Sequence, residues 1–370
     1  MSAIEVRFGK SFNPDAAAAV QELVAQTNEI KPDFILFFCS PKYDLAAMGK
    51  AIEASFTCPA LGCTTAGEIL SGEGYIEGSI ICAAVASSKI SLQLVPIKDL
   101  RAFANTADPV KDFPELGRKH SFVLLLIDGL STLEELVVGS INQTFKGLVP
   151  LVGASAGDGF RLAHTFVYYE GAFHENAAML AFFETTLPFQ VLHIQHFEPT
   201  GTRLVVTDAD LATRTVKEIN GMPAAEEYSR IIGVPVTALN LEVFGAYPLL
   251  LQAGGTYYVR SIRDANPDGS LRFICMTDIG TVLTMAKPSG SLVANLERNL
   301  HEVEKTMKPA LIFGSDCLLR RMELHRTGAL EDARRVISNY PFIGFSCYGE
   351  QYFGVHVNHS LTALVLGDEA

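Results

Sequence analysis

One pattern occurs three times in this chain, and it constrains the fold more than any other feature. Pro59-Ala-Leu-Gly62 leads into Cys-Thr-Thr-Ala-Gly67-Glu68. Pro150-Leu-Val-Gly153 leads into Ala-Ser-Ala-Gly157-Asp158, and Pro341-Phe-Ile-Gly344 into Phe-Ser-Cys-Tyr-Gly349-Glu350. Each copy has Pro, two apolar residues and Gly, then small or hydroxyl residues, then Gly and an acid. Self-similarity of this kind means that one supersecondary unit is used repeatedly.

The flanks repeat as well. Before each Pro stands an apolar run that reads as a buried strand, at 34–38, 122–127 and 310–313. A helical stripe follows each run. It is Leu45, Met48, Ala51 and Ile52 in the first unit, and Leu330, Ala333, Val336 and Ile337 in the third. In the second it is Leu133, Leu136, Val137 and Ile141, behind Ser131 as N-cap with Glu134 three residues on. Further strands read at 79–86, 177–184 and 361–366. The fold class is therefore α/β: two domains built from related strand-helix-strand-strand units with mixed sheets. Helical crossovers join parallel strands, and the close-spaced strands after each glycine loop make hairpins. Between the second and third units, 190–196 and 202–206 read as strands, 211–220 and 224–232 as helices, and 292–307 as a periodic helix. The expected domains are 1–215 and 216–370.

Composition narrows the function. Across 370 residues, 41 acids stand against 29 basic residues, a formal net charge of −12, which excludes a nonspecific grip on nucleic acid or on an anionic membrane. The N-terminal MSAIEVRFGK carries no apolar run that would make a signal peptide, and no stretch approaches the ~20 apolar residues of a transmembrane helix. The seven cysteines are scattered singly, which fits a reduced, cytoplasmic chain.

Catalytic signatures are sparse. There is no dinucleotide fingerprint, P-loop, HExxH or CxxC. Cys63 and Cys347 sit in glycine loops where a backbone oxyanion hole is conceivable, but neither has a His nearby in sequence. The expectation is a non-enzyme. His356 and His359 follow the third loop three residues apart, so in a strand they face opposite sides, while His356 and Asn358 share a face. A His on an open face either is a half-exposed strand residue or serves as axial ligand to a planar metal cofactor, whose macrocycle supplies the other four ligands. Arg320 and Arg321 start a helix, where they are solvated or else supply forks for carboxylates such as propionates. The loops Gly62 to Glu68 and Gly344 to Glu350, the latter with Tyr348, are expected to line one cavity between the domains.

Several separated segments carry a resemblance. Gly62-Cys-Thr-Thr-Ala-Gly-Glu-Ile69 is similar to the signature of the FIST N-terminal domain. Gly344-Phe-Ser-Cys-Tyr-Gly-Glu-Gln351, followed by Gly354-Val-His-Val-Asn358, resembles the end of the FIST C-terminal domain. Asn220-Gly-Met-Pro-Ala224, Tyr247-Pro248 and Val259-Arg260 match its middle. Asp316-Cys-Leu-Leu-Arg-Arg321 and the ending resemble one branch, the stand-alone nitric-oxide-sensing haem proteins (NosP). The resemblance implies a bacterial sensory protein that binds haem b through its iron, senses nitric oxide, and regulates a histidine kinase or a cyclic-di-GMP synthase or phosphodiesterase. It implies His356 as the iron ligand. His359 stands where the branch has Gln, and Ser360 where it has Thr. The competing expectation is a metal-free sensory module for a small molecule such as an amino acid, with Glu68 or Glu350 as polar anchors. A homo-oligomer is left open.

Overall fold

The computed structural model describes residues 3–117 and 120–368. Three units of like order make up its body. The first runs β1 (Glu5–Ser11), α1 (Ala16–Thr27), β2 (Phe34–Cys39), α2 (Leu45–Ser55) and β3 (Ala60–Thr64). A hairpin of β4 (Glu68–Leu70) and β5 (Gly74–Ile76) follows, then β6 (Ile80–Ala86). The second has β7 (Ile90–Ile97), α3 (Leu100–Ala104), β8 (Ser121–Ile127), α4 (Glu134–Thr144) and β9 (Leu151–Ser155). Its hairpin is β10 (Val167–Tyr169) and β11 (Ala172–His174), followed by β12 (Ala178–Thr185). The third opens with β13 (Phe189–Ile194) and is then interrupted by an inserted sheet.

The insert comprises β14 (Phe197–Asp210), β15 (Thr215–Ile219), β16 (Met222–Pro223), α5 (Ala224–Ile232), α6 (Leu241–Ala246) and β17 (Leu249–Ala253). It ends with β18 (Thr256–Arg260), β19 (Ile262–Ala265), β20 (Leu271–Phe273) and β21 (Val282–Pro288). The third unit then resumes as α7 (Leu292–Glu304), β22 (Pro309–Cys317), α8 (Leu318–Thr327), α9 (Leu330–Ile337) and β23 (Phe342–Cys347). Its hairpin is β24 (Glu350–Tyr352) and β25 (Val355–Val357), and β26 (Leu361–Gly367) closes it. The expected boundary between 215 and 216 falls inside β15, and the sheets place the insert wholly within the third unit.

Each unit builds one six-stranded mixed sheet around a parallel pair: β2 with β3, β8 with β9, β22 with β23. The hairpins change hands. β4 pairs with β23, β10 with β3 and β24 with β9, so every sheet is completed by another unit's hairpin and the three close in a ring. The central strand β2 is apolar throughout because both of its faces are covered. Phe34, Leu36 and Phe38 face a core shared with Phe122, Leu124, Leu126, Phe313 and Phe345. Ile35, Phe37 and Cys39 face the cover of α1 and α2.

The repeat prolines occupy matching places. The carbonyls of Pro59, Pro150 and Pro341 accept from Ile35, Val123 and Ile312 at 2.9, 2.9 and 2.8 Å, opening each parallel pair. The first glycine of each motif sits where the paired strand presses in. A Cβ on Gly62 would lie 2.3 Å from the Phe37 ring, and one on Gly344 would lie 2.0 Å from the Gly314 carbonyl.

Two local expectations are corrected. Residues 211–220 form a turn and β15, not a helix. A bulge opposite Asp208 and Ala209 puts Val216 and Ile219, three apart, on one buried face, which imitates helical spacing. At α4, Ser131 does not cap: the helix starts at Glu134, and the Glu134 carboxylate is buried against Arg214 instead of reaching back.

Candidate functional site

The three glycine loops meet where the ring closes. Ala66 N–H donates to the Ser346 carbonyl (2.8 Å), Gly157 N–H to that of Thr64 (3.0 Å), and Tyr348 N–H to that of Ser155 (3.2 Å). The first and third loops are thus bonded to each other directly. The cleft that Gly67 and Glu68 line, of about 670 Å³, is shared with Lys42 and the segment around Asp158 and Arg161. The expected cavity between the first and third loops is absent from the larger clefts among the described residues.

The loop acids are internal staples. Glu68 Oε2 accepts from Ser79 N–H and Oγ (3.2 and 2.6 Å), and Oε1 accepts from Thr65 Oγ (2.5 Å). Glu350 repeats this with Ser360 N–H and Oγ (3.1 and 2.6 Å) and Cys347 Sγ (3.3 Å). Burial pushes the carboxyl of Glu68 up to about 7 and that of Glu350 up to about 8. Glu68 lines the cleft of about 670 Å³ with both of its oxygens already taken by Thr65 and Ser79, and Glu350 lines none of the larger clefts among the described residues. Asp158 departs from the pattern: it takes N–H groups from Leu162, Ala163 and His164 and the hydroxyl of Tyr348. The second copy also spells Gly153-Ala-Ser-Ala-Gly157, the spacing of a hydrolase nucleophile elbow. Ser155 ends a strand, and its Oγ accepts from Gln351 Nε2 (3.0 Å) rather than facing a base.

Arg320 and Arg321 are buried and turned inward. Arg320 Nε donates to Asp316 Oδ1 (2.5 Å), whose other oxygen takes the Tyr75 hydroxyl. Arg321 crosses the bare face of Gly67 to the Ala66 carbonyl (3.0 Å) and Glu77 (2.8 Å). The Nη1 and Nη2 of Arg320 are buried without an acceptor, and neither arginine lines any of the larger clefts among the described residues.

His356 and Asn358 both lie against Cys275, while His359 turns the other way. His359 and His196 each bond Glu323, at 3.3 and 2.8 Å. Burial alone would raise the Glu323 carboxyl, but the two imidazoles hold it well below the usual range. His356 is 2 % exposed. Its Cε1 would stand 2.4 Å from a Cβ on Gly349, and one of its ring nitrogens lies within 4.8 Å of the ligand atoms of Cys275 and Glu135. It lines none of the larger clefts among the described residues. A planar macrocycle stacked on that nitrogen would occupy the space of those side chains, so these residues do not fit a haem at His356.

The site that sequence reasoning missed is a cleft of about 730 Å³ where the insert meets the second and third units. Its wall is largely apolar: Leu130, Phe160, Leu162, Phe273, Leu318 and the ring of Tyr348. Into it come Arg214, Arg263 and Arg272. Arg214 is tied to Glu134 (2.6 Å) and Glu135, and Arg263 lies 3.1 Å from Asp264. Among the described residues no carboxylate stands within ion-pair distance of Arg272, and the Nε atoms of Arg214 and Arg272 are buried without an acceptor, while that of Arg263 faces Asp264. No local motif marks these arginines. They converge only because β15, β19 and β20 are neighbours in the inserted sheet, a pairing that no single segment spells out.

Comparison with known families matches the FIST N domain over residues 33–222 and the FIST C domain over 224–352. No curated protein matches the chain. A solved cyanuric acid hydrolase from A. caulinodans is similar over 50 % of this chain and 71 % of its own, at 10 % identity and TM-score 0.25. The PurLQS structure from Thermotoga maritima covers 99 % of this chain and 72 % of its own, at 10 % identity and TM-score 0.21. No helix among the described residues is long and apolar enough to cross a membrane.

Proposed function

The chain belongs to the FIST family, whose domains are sensory domains of signal transduction, and we propose on that premise that it senses an organic acid with an apolar body. The observation that carries this is Arg272, unpaired in a mostly apolar cleft with its buried Nε–H lacking an acceptor, beside the guanidiniums of Arg214 and Arg263. An apolar wall with a few convergent polar groups is the usual construction of a small-molecule site. Guanidiniums bind carboxylates in a charge-assisted, fork-like manner. An amino acid or related acid with a large apolar side chain meets both demands. Because the wall is drawn from the insert and from two of the ring units, a ligand there favours one docking of the insert over others. A partner, such as a histidine kinase or a cyclic-di-GMP enzyme, reads that preference.

The test is thermal shift and calorimetry with aliphatic and aryl carboxylic acids, each beside its amide. Acids should bind and amides should not. Arg272→Gln should weaken binding by roughly 10- to 100-fold, the loss of one hydrogen bond to a charged group. Equal response to acids and amides would refute the reading. So would stoichiometric haem uptake with a Soret band that His356→Ala abolishes.

A further inference from the structure

Behind the cleft wall lies a cluster that the sensory reading does not use. We propose that Glu135, Cys275 and His356 form a binding site for a divalent transition metal of the zinc type. The three residues come from α4, from the segment after β20, and from β25, and their ligand atoms all lie within 4.8 Å of one another. Among the described residues this is the one place where three such groups converge. Nitrogen, sulfur and carboxylate oxygen together are a donor set that suits Zn²⁺ or Co²⁺ and disfavours Mg²⁺ or Ca²⁺.

The imidazole is arranged as a ligand. His356 Nδ1 lies 3.1 Å from the Glu350 carbonyl. The Gln351 side-chain nitrogen lies 3.2 Å from the same Nδ1. In the tautomer that donates Nδ1–H to the carbonyl, Nε2 presents a lone pair, and metal binding selects that tautomer. That Nε2 is buried with no hydrogen-bond partner, and a ring nitrogen of His356 lies within 4.8 Å of the ligand atoms of Cys275 and Glu135. An imidazole fixed by a carbonyl on one nitrogen, with the other nitrogen bare, is the usual geometry of a metal-bound His. Cys275 is 1 % exposed, and its thiol donates to Asn358 Oδ1 at 2.8 Å, so that oxygen is at hand for a fourth position. Glu135 is steadied from outside by the Met276 N–H (2.6 Å) and by Arg214.

On binding, the metal–sulfur bond replaces the S–H bond and the thiol proton leaves to solvent. No electron changes hands. The thiolate and the Glu135 carboxylate then balance the 2+ charge of the ion. The ion would fasten α4, the insert and the third unit's hairpin at one point.

The experiment uses the full chain, stripped with chelator, with Cys58→Ser to remove the half-exposed thiol that would scavenge metal. Co²⁺ should bind one per chain, with a thiolate-to-cobalt charge-transfer band and the strong visible bands of a tetrahedral ion. Zn²⁺ should displace it and raise the unfolding temperature. Cys275→Ser should abolish the charge-transfer band, and His356→Gln and Glu135→Gln should lose stoichiometric binding. If the variants do not fold, X-ray absorption on the zinc-loaded Cys58→Ser protein decides, with one sulfur and one imidazole expected in the first shell. Absence of stoichiometric Co²⁺ binding, a charge-transfer band that survives Cys275→Ser, or a sulfur-free shell would overturn the site. None of these readouts depends on an organic acid, so this test and that of the sensory reading fail separately.

Discussion

Glu68 and Glu350 show what a motif discloses and what it hides. Their recurrence was plain in the chain, but the direction of each carboxylate was not. Each folds back on the serine that opens its unit's last strand, Ser79 in one and Ser360 in the other. Those serines recur at 11 and 10 residues beyond the acid, a second spacing that marks the acids as staples rather than ligand anchors. Their titration gives a signed prediction. A carboxyl whose folded pKa is raised binds its proton more tightly in the folded state. Its contribution is full below the ordinary 4.5 and is lost as pH rises through about 7 for Glu68 and about 8 for Glu350. Glutamine mimics the protonated form. The double variant Glu68→Gln, Glu350→Gln should therefore lose less stability than wild type between about pH 5 and pH 9. Thermal midpoints across that range check this, at roughly 2 °C for each kcal/mol of difference. Parallel pH profiles for the two proteins would contradict it.

At the scale of elements, alternation carried the reading of β25 and helical spacing misled it at β15. His356 and Asn358 do share a face, because β25 keeps a period of two up to Val357 and the bridge from Val259 to Asn358 extends it, whereas His359 turns away at a left-handed backbone (φ 51°) beyond the strand. In β15 the bulge broke that period, and a bulge is set by the partner strand, which local sequence does not name. Helix α4 shows the same limit. Glu134 had the spacing of a capping box, but folding brings Arg214 to it from 80 residues away. Both side chains of that pair are nearly inaccessible, at 2 % and 6 %. Glu134→Ala leaves a buried guanidinium short of one partner. The expected cost is about 3 kcal/mol, the lower end for breaking a buried pair, because Glu135 still faces the cation. Denaturant unfolding measures it. A loss under about 1 kcal/mol would mean that the pair is solvated in solution, as exposed pairs are.

At the scale of the whole molecule, the division of the chain and the division of the fold do not coincide. The two family domains part near residue 223, and three repeats were legible in the sequence. The exchange of hairpins between units was not legible, because a three-residue strand carries no information about which edge it joins. That exchange makes each half depend on the other. β4 and β5, from the first half, complete the sheet around β23, while β24 and β25, from the second half, complete the sheet around β9. The shared core likewise draws Phe38 and Leu126 together with Phe313 and Phe345. A fragment of residues 1–222 would therefore expose the edge of β9 and leave β4 without its partner, and bare edges of this kind invite aggregation. It should show no cooperative unfolding transition by itself and should aggregate on refolding. Co-refolding with residues 223–370 should restore a single transition. A monomeric 1–222 fragment that melts cooperatively would show that the first two sheets suffice, and the ring would then be an assembly of separable domains rather than one folding unit.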